Sequence, residues 1–144
     1  MRYLLDTNVV SEYSRSFPPD IRVKTWIDSQ DEDAMYLSVL TLGEIRKGTT
    51  LLPPGSKRAQ LERWLEIELP ARFSDRVLSI TAEVSEIWGA MAGEAQLKGL
   101  GLGSIDGLIA ATAKHHDLTL VTRNVKHFRI CGISVLNPWD LPQP

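Results

Sequence analysis

Five short apolar runs, residues 2–5, 34–39, 77–80, 118–122 and 133–136, alternate along the chain with stretches of helical character. This alternation is the strongest constraint on the fold. Parallel strands cannot be joined by a tight hairpin and need a crossover, usually a helix, between them. Short strands separated by helices therefore predict an α/β domain with a mainly parallel central sheet. In such a sheet the loops and helix starts that follow the strands gather at the carboxyl ends, where sites are built.

The helices are delimited by recognisable signals. A short helix is predicted over 9–16, ended by Pro18-Pro19, and another over 20–30 with Ile21, Val23, Trp26 and Ile27 as its apolar contribution. Residues 28–33 read as an acidic connection. Thr41 is expected to open a helix that Pro53-Pro54-Gly55 closes. A longer helix over 57–69 should break or kink at Pro70, with a polar connection over 72–75. Thr81 is placed to cap a helix over 82–98.

The stretch 100–120 combines a glycine-rich loop, a helix and the entry to a strand. Ser104 is the expected cap, and Ile105, Leu108, Ile109, Thr112 and Ala113 the apolar surface. Asp106 falls in the first turn of this helix, Asp6 just beyond the first strand, and Glu44 just after the second. If the first two strands are parallel neighbours, all three carboxylates can reach one centre. Clustered acids repel, and a bound cation relieves that cost. An all-oxygen donor set points to Mg2+, or Mn2+, rather than structural zinc. Each acid also has a purely structural reading: a turn at Asp6, a capping box between Thr41 and Glu44, and a helix-dipole contact at Asp106.

Other chemistries find little support. His115-His116 and His127 have no companion cysteine pair and read as exposed or helix-terminal. Gly99, Gly101 and Gly103 do not match a phosphate-binding loop, and no nucleophile elbow is present. Sixteen Lys and Arg against eighteen Asp and Glu exclude a strongly basic non-specific nucleic-acid binder. Arg15, Arg46, Lys47, Arg123, Lys126 and Arg129 can still form a local cationic track. The single cysteine, Cys131, reads as a buried small hydrophobe. No apolar run approaches the ~20 residues that span a bilayer, and the chain enters its first strand without a leader-like segment. A cytoplasmic, single-domain protein over 1–144 is expected, with 138–144 as a tail whose Trp139 and Leu141 pack back.

Four pieces in order resemble the PIN-domain ribonuclease toxins of the VapC/FitB-like type II toxin–antitoxin family. They are LLDTN ending at Asn8, SVLTLGEIRK ending at Lys47, DGLIAATA ending at Ala113 and LTLVTRNVKHF ending at Phe128. The resemblance implies a three-layer α/β/α fold and a Mg2+-dependent endoribonuclease leaving a 5′-phosphate and a free 3′-hydroxyl. It implies Asp6, Glu44 and Asp106 as metal-site residues, with Thr7, Asn8, Thr122 and Asn124 as polar support. Arg46, Arg123 and Lys126 would contact the RNA backbone. A cognate antitoxin and a homodimer are the implied partners, with no membrane. Relatives often carry aspartate where this chain has Asn124 or His127, a departure that bears on whether one ion or two are held. The alternatives are a catalytically weak or silent interaction protein of the same fold, or a metal-dependent DNA nuclease or phosphatase.

Overall fold

The computed structural model describes residues 1–14 and 19–142. The predicted helix end at 15–16, the Pro18 stop and the cation Arg15 lie outside the described residues, as do positions 143–144 of the tail. Strands β1 (Tyr3–Leu5), β2 (Met35–Ser38), β3 (Val77–Leu78), β4 (Thr119–Val121) and β5 (Val135–Leu136) form one sheet in the order β3-β2-β1-β4-β5. Every neighbouring pair is parallel, with Leu4 of β1 opposite Tyr36 on one side and Leu120 on the other.

Side chains of β1 alternate between two cores, as the pleat requires. Tyr3 and Leu5 join one that includes Trp26, Ile45, Trp64, Leu69 and Phe73. Leu4 joins the other, with Val84, Met91, Ile109 and Phe128. The first core lies under α2 (Ile21–Ser29), α3 (Val39–Leu51) and the helical run starting at α4 (Ser56–Arg63). The second lies under α6 (Ala82–Leu97), α7 (Ser104–His115) and α8 (Val125–Phe128). This is the expected α/β/α sandwich, and burial on both faces explains why the strands read as continuous apolar runs. Trp139 is buried and Leu141 packs on the first core, so the described part of the tail does fold back.

Several local expectations are corrected. The helix after β2 begins at Val39, because Ser38 accepts the Leu40 N–H at 3.1 Å and caps it. Thr41 is therefore inside α3 and buried, and it forms no capping box with Glu44. Gly103, not Ser104, stands at the cap of α7 and supplies no side-chain bond; Ser104 is the first helical residue. Ile105 is 40% exposed rather than part of the apolar surface, and Ile21, at the start of α2, is likewise exposed at 50%. Helix α1 (Thr7–Val10) starts earlier than 9 and passes into a 3-10 turn, Ser11–Tyr13.

Pro70 does not end its helix. α4 continues through a π-helical turn, Trp64–Glu68, into α5 (Leu69–Phe73). Proline lacks the N–H that would close the turn onto Glu66 and its ring crowds that carbonyl; a widened turn accommodates both. Arg72 and Phe73 are consequently helical rather than part of a polar connection. The acidic connection is shorter too, since Asp28 and Ser29 complete α2 and Glu32–Ala34 form a 3-10 turn. No described helix is long and apolar enough to cross a membrane.

Candidate functional site

The carboxyl ends of β1 and β4 meet at Asp6. Its backbone N–H donates to the Val121 carbonyl at 2.9 Å, extending the strand pairing one residue past β1. Its side chain is only 5% exposed and caps α1. Oδ1 accepts from the Thr7 backbone N–H at 2.8 Å, and Oδ2 accepts from the Thr122 hydroxyl at 2.7 Å. Thr122 is fully buried, and its Oγ1 in turn accepts the Asn124 backbone N–H at 3.0 Å. The turn after β4 is thus locked to the turn after β1.

Glu44 projects from the second turn of α3 toward the same end. The Thr7 hydroxyl donates to Glu44 Oε1 at 2.6 Å, with the Thr41 hydroxyl 3.5 Å from Thr7 Oγ1. Thr7 therefore touches two of the three acids, through its backbone at Asp6 and its side chain at Glu44. Asp106 stands in the first turn of α7, about one-third exposed. Burial pushes the Asp6 carboxyl above its usual range, the hydrogen bonds from Thr122 and Thr7 oppose that shift, and the charges of Asp106 and Glu44 reinforce it. The three acids named from the sequence act electrostatically on one another at Asp6.

They do not form a closed cage. Among the described residues no group of three or more His, Cys, Asp or Glu side chains is drawn together tightly enough to hold a metal ion. The donor set still suits a hard divalent cation. Mg2+ keeps several of its waters and usually takes only one or two carboxylates directly. A buried carboxylate destabilised by two neighbouring negative charges is a place where such an ion relieves repulsion.

The supporting residues divide. Asn8 Oδ1 accepts the Arg123 backbone N–H at 3.3 Å, joining the two turns a second time. Asn124 contributes its backbone N–H, while its side chain makes no cap to α8. Arg46 is held by Glu66 at 2.8 Å, so it enters an intramolecular pair rather than standing ready for a substrate. Arg123 lies over the Trp139 ring with its guanidinium carbon 5.1 Å from the centroid, and Lys126 is exposed. His127 is exposed and in the last turn of α8, as its sequence context suggests, and it also brings Nδ1 to 3.4 Å from Asp106 Oδ2. The available signal was its place in the last motif, where the resemblance puts an acid.

One glycine sets the approach of two helices. A Cβ on Gly107 would lie 2.8 Å from Trp88 Cδ1 and 2.9 Å from its Nε1, so α6 and α7 meet closely beside Asp106. The indole N–H there is buried with no hydrogen-bond partner among the described residues.

A parallel α/β/α sandwich with acids at the carboxyl ends of its central strands is the arrangement of a PIN-type nuclease fold, and the PIN domain family model matches residues 3–133. The chain belongs to that family, among the VapC/FitB-like toxins of type II toxin–antitoxin systems. It is 40% identical over 136 residues to Toxin FitB of Neisseria gonorrhoeae, covering 94% of this chain and 97% of that one. It is 36% identical over 137 residues to VapC ribonuclease Y4jK of Sinorhizobium fredii, covering 95% and 97%. The crystal structure of FitAcB from Neisseria gonorrhoeae superposes with a TM-score of 0.89 at 40% identity, over 96% of this chain and 99% of that one. The structure of FitAB bound to an IR36 DNA fragment gives the same score at 38% identity, over 97% of each chain.

Proposed function

We propose that this chain is the toxin of a toxin–antitoxin pair and hydrolyses RNA phosphodiester bonds with a divalent metal, Mg2+ or Mn2+. The observation that carries the reading is the burial of Asp6 at the end of β1 under the charges of Asp106 and Glu44. A cation bound there would offset charge on the phosphoryl group and acidify water. Asp6 and Asp106 supply the negative charge that holds it. Glu44 is fixed through Oε1 by Thr7, leaving Oε2 without a partner among the described residues and able to accept a proton. Thr122 and Asn8 keep the two turns in register as substrate arrives.

The antitoxin and a second copy of the chain are the proposed protein partners. An apolar cleft of about 330 Å³ lined by Ile45, Leu52, Leu61 and Trp64, with Thr7 and Glu44 also in its wall, supports the first. A partner segment lying there would cover the acidic centre.

The test is cleavage of a defined RNA panel, with a matched DNA set, by purified antitoxin-free protein in Mg2+ or Mn2+. The parent should cut RNA, and Asp6→Asn and Asp106→Asn should each abolish cutting while remaining folded. Equal cutting by all three proteins defeats the assignment, and cutting of DNA alone transfers it to the DNA-nuclease alternative. A folded parent that neither cuts nor binds Mn2+ would favour the silent interaction protein, a reading motivated by Asn124 and His127 standing where relatives carry acids.

A further inference from the structure

The connection from β4 to β5 carries Arg123, Lys126, His127 and Arg129 within seven positions. All four line one open cleft of about 340 Å³, together with Asn124 and Asn137. Many of the chain's other cations are already engaged: Arg22, Lys24, Arg46, Arg58, Arg72 and Arg76 each pair with a carboxylate. Arg123, Lys126 and Arg129 pair with none among the described residues. One acid, Asp140, also lines the cleft, and its charge acts on Arg22 of α2.

The cleft is built rather than merely charged. Arg123 has its guanidinium laid over Trp139 and its backbone N–H bonded to Asn8, so its position is fixed from both sides. A preset guanidinium loses less freedom on meeting a phosphate than a free one. The cleft also adjoins the acidic centre. His127 belongs to its lining and touches Asp106, and Asn124 is bonded through Thr122 to Asp6.

We propose that this cleft is a phosphate subsite, holding the backbone phosphate of a single-stranded RNA next to the one presented to the acidic centre. Arg123, Lys126 and Arg129 bind it by charge, and the Asn137 and Asn124 amides add neutral donors. Exposed cations in an open cleft suit a flexible single strand, whose phosphates can turn inward while its bases stay in solvent. The orientation relative to the acids rests on the nuclease reading; the binding of phosphate does not.

The experiment measures binding of a fluorescein-labelled single-stranded RNA, about a dozen nucleotides long, by anisotropy in EDTA across a salt series. Without divalent metal there is no cleavage to confuse the reading. Lys126→Gln with Arg129→Gln should weaken binding about tenfold at low salt, and lower the slope of log affinity against log salt by about 0.7 per charge removed. Arg58→Gln, which removes a charge from α4, should leave both nearly unchanged. Equal effects from Arg58→Gln and the cleft variants would overturn the subsite, since net charge alone would then explain binding. An oligoglutamate peptide that displaces the RNA as well as unlabelled RNA does, through the same two residues, would also overturn it and give the cleft to an acidic protein segment. Failure of the parent to bind Mn2+ in a separate titration would strike the nuclease reading and leave the anisotropy result standing.

Discussion

Thr122 and Asp6 are 116 positions apart and share a buried hydrogen bond of 2.7 Å, the hydroxyl donating to Oδ2. The same hydroxyl accepts from Asn124, so one side chain ties the ends of the two central strands together.

Thr122→Val keeps the shape and removes the bond. A hydrogen bond to a charged group contributes roughly 1.5–3 kcal/mol, and the Asn124 N–H loses its acceptor as well. Urea unfolding at neutral pH should show a loss of about 2–3 kcal/mol, whereas Thr122→Ser should recover most of it.

Asp6 gives the pH dependence. Its folded-state pKa lies above the ordinary value of 3.8, chiefly through burial, so the folded chain retains a proton that the unfolded chain has released. The contribution of Asp6 to stability is therefore full below about pH 4 and is lost as pH rises through the folded-state value. A bound cation favours the ionised carboxylate and works in the opposite sense. Melting curves in EDTA and in Mn2+ should diverge as pH is raised from about 4 to 8, the metal adding more at the higher end. Asp6→Asn should remove most of the divergence.

Thr7 holds Glu44 at 2.6 Å. Groups that orient a metal-binding carboxylate typically alter affinity 10- to 100-fold when removed. Thr7→Val should weaken Mn2+ binding, followed by electron paramagnetic resonance, by about tenfold, and Thr7→Ser should restore it.

Gly107→Ala places a methyl group against Trp88. Overpacking of this kind costs about 1–3 kcal/mol, partly offset by the roughly 1 kcal/mol that alanine adds to helix stability. Trp88→Phe in the same chain removes the pyrrole edge that the methyl would strike. Denaturation of the two single variants and the double should reveal compensation, the double being less destabilised than the sum.

Most of the architecture was legible because strands buried on both faces show themselves as apolar runs, and Asp6 because a polar triplet ends the first of them. The cap of α7 was misassigned because serine and glycine are both acceptable neighbours of a helix start, and only the backbone decides which stands outside it. Thr41 with Glu44 has the spacing of a capping box, yet Ser38 captures the helix earlier and frees Glu44 for Thr7. Pro70 is compatible with a stop or with a π turn, and packing of Leu69 and Phe73 into the first core selects the second. His127 reaches Asp106 only through tertiary placement of α8, which no local pattern encodes.

The central strand β1 is made before both of its sheet neighbours, and one of them, β4, comes only after two further strands. Until translation has passed Thr122, Asp6 has neither its hydroxyl donor nor the sheet edge that encloses it. On the ribosome a growing polypeptide accordingly holds Asp6 as an unsheltered carboxylate, and the centre takes its shape only once β4 and the turn after it have emerged.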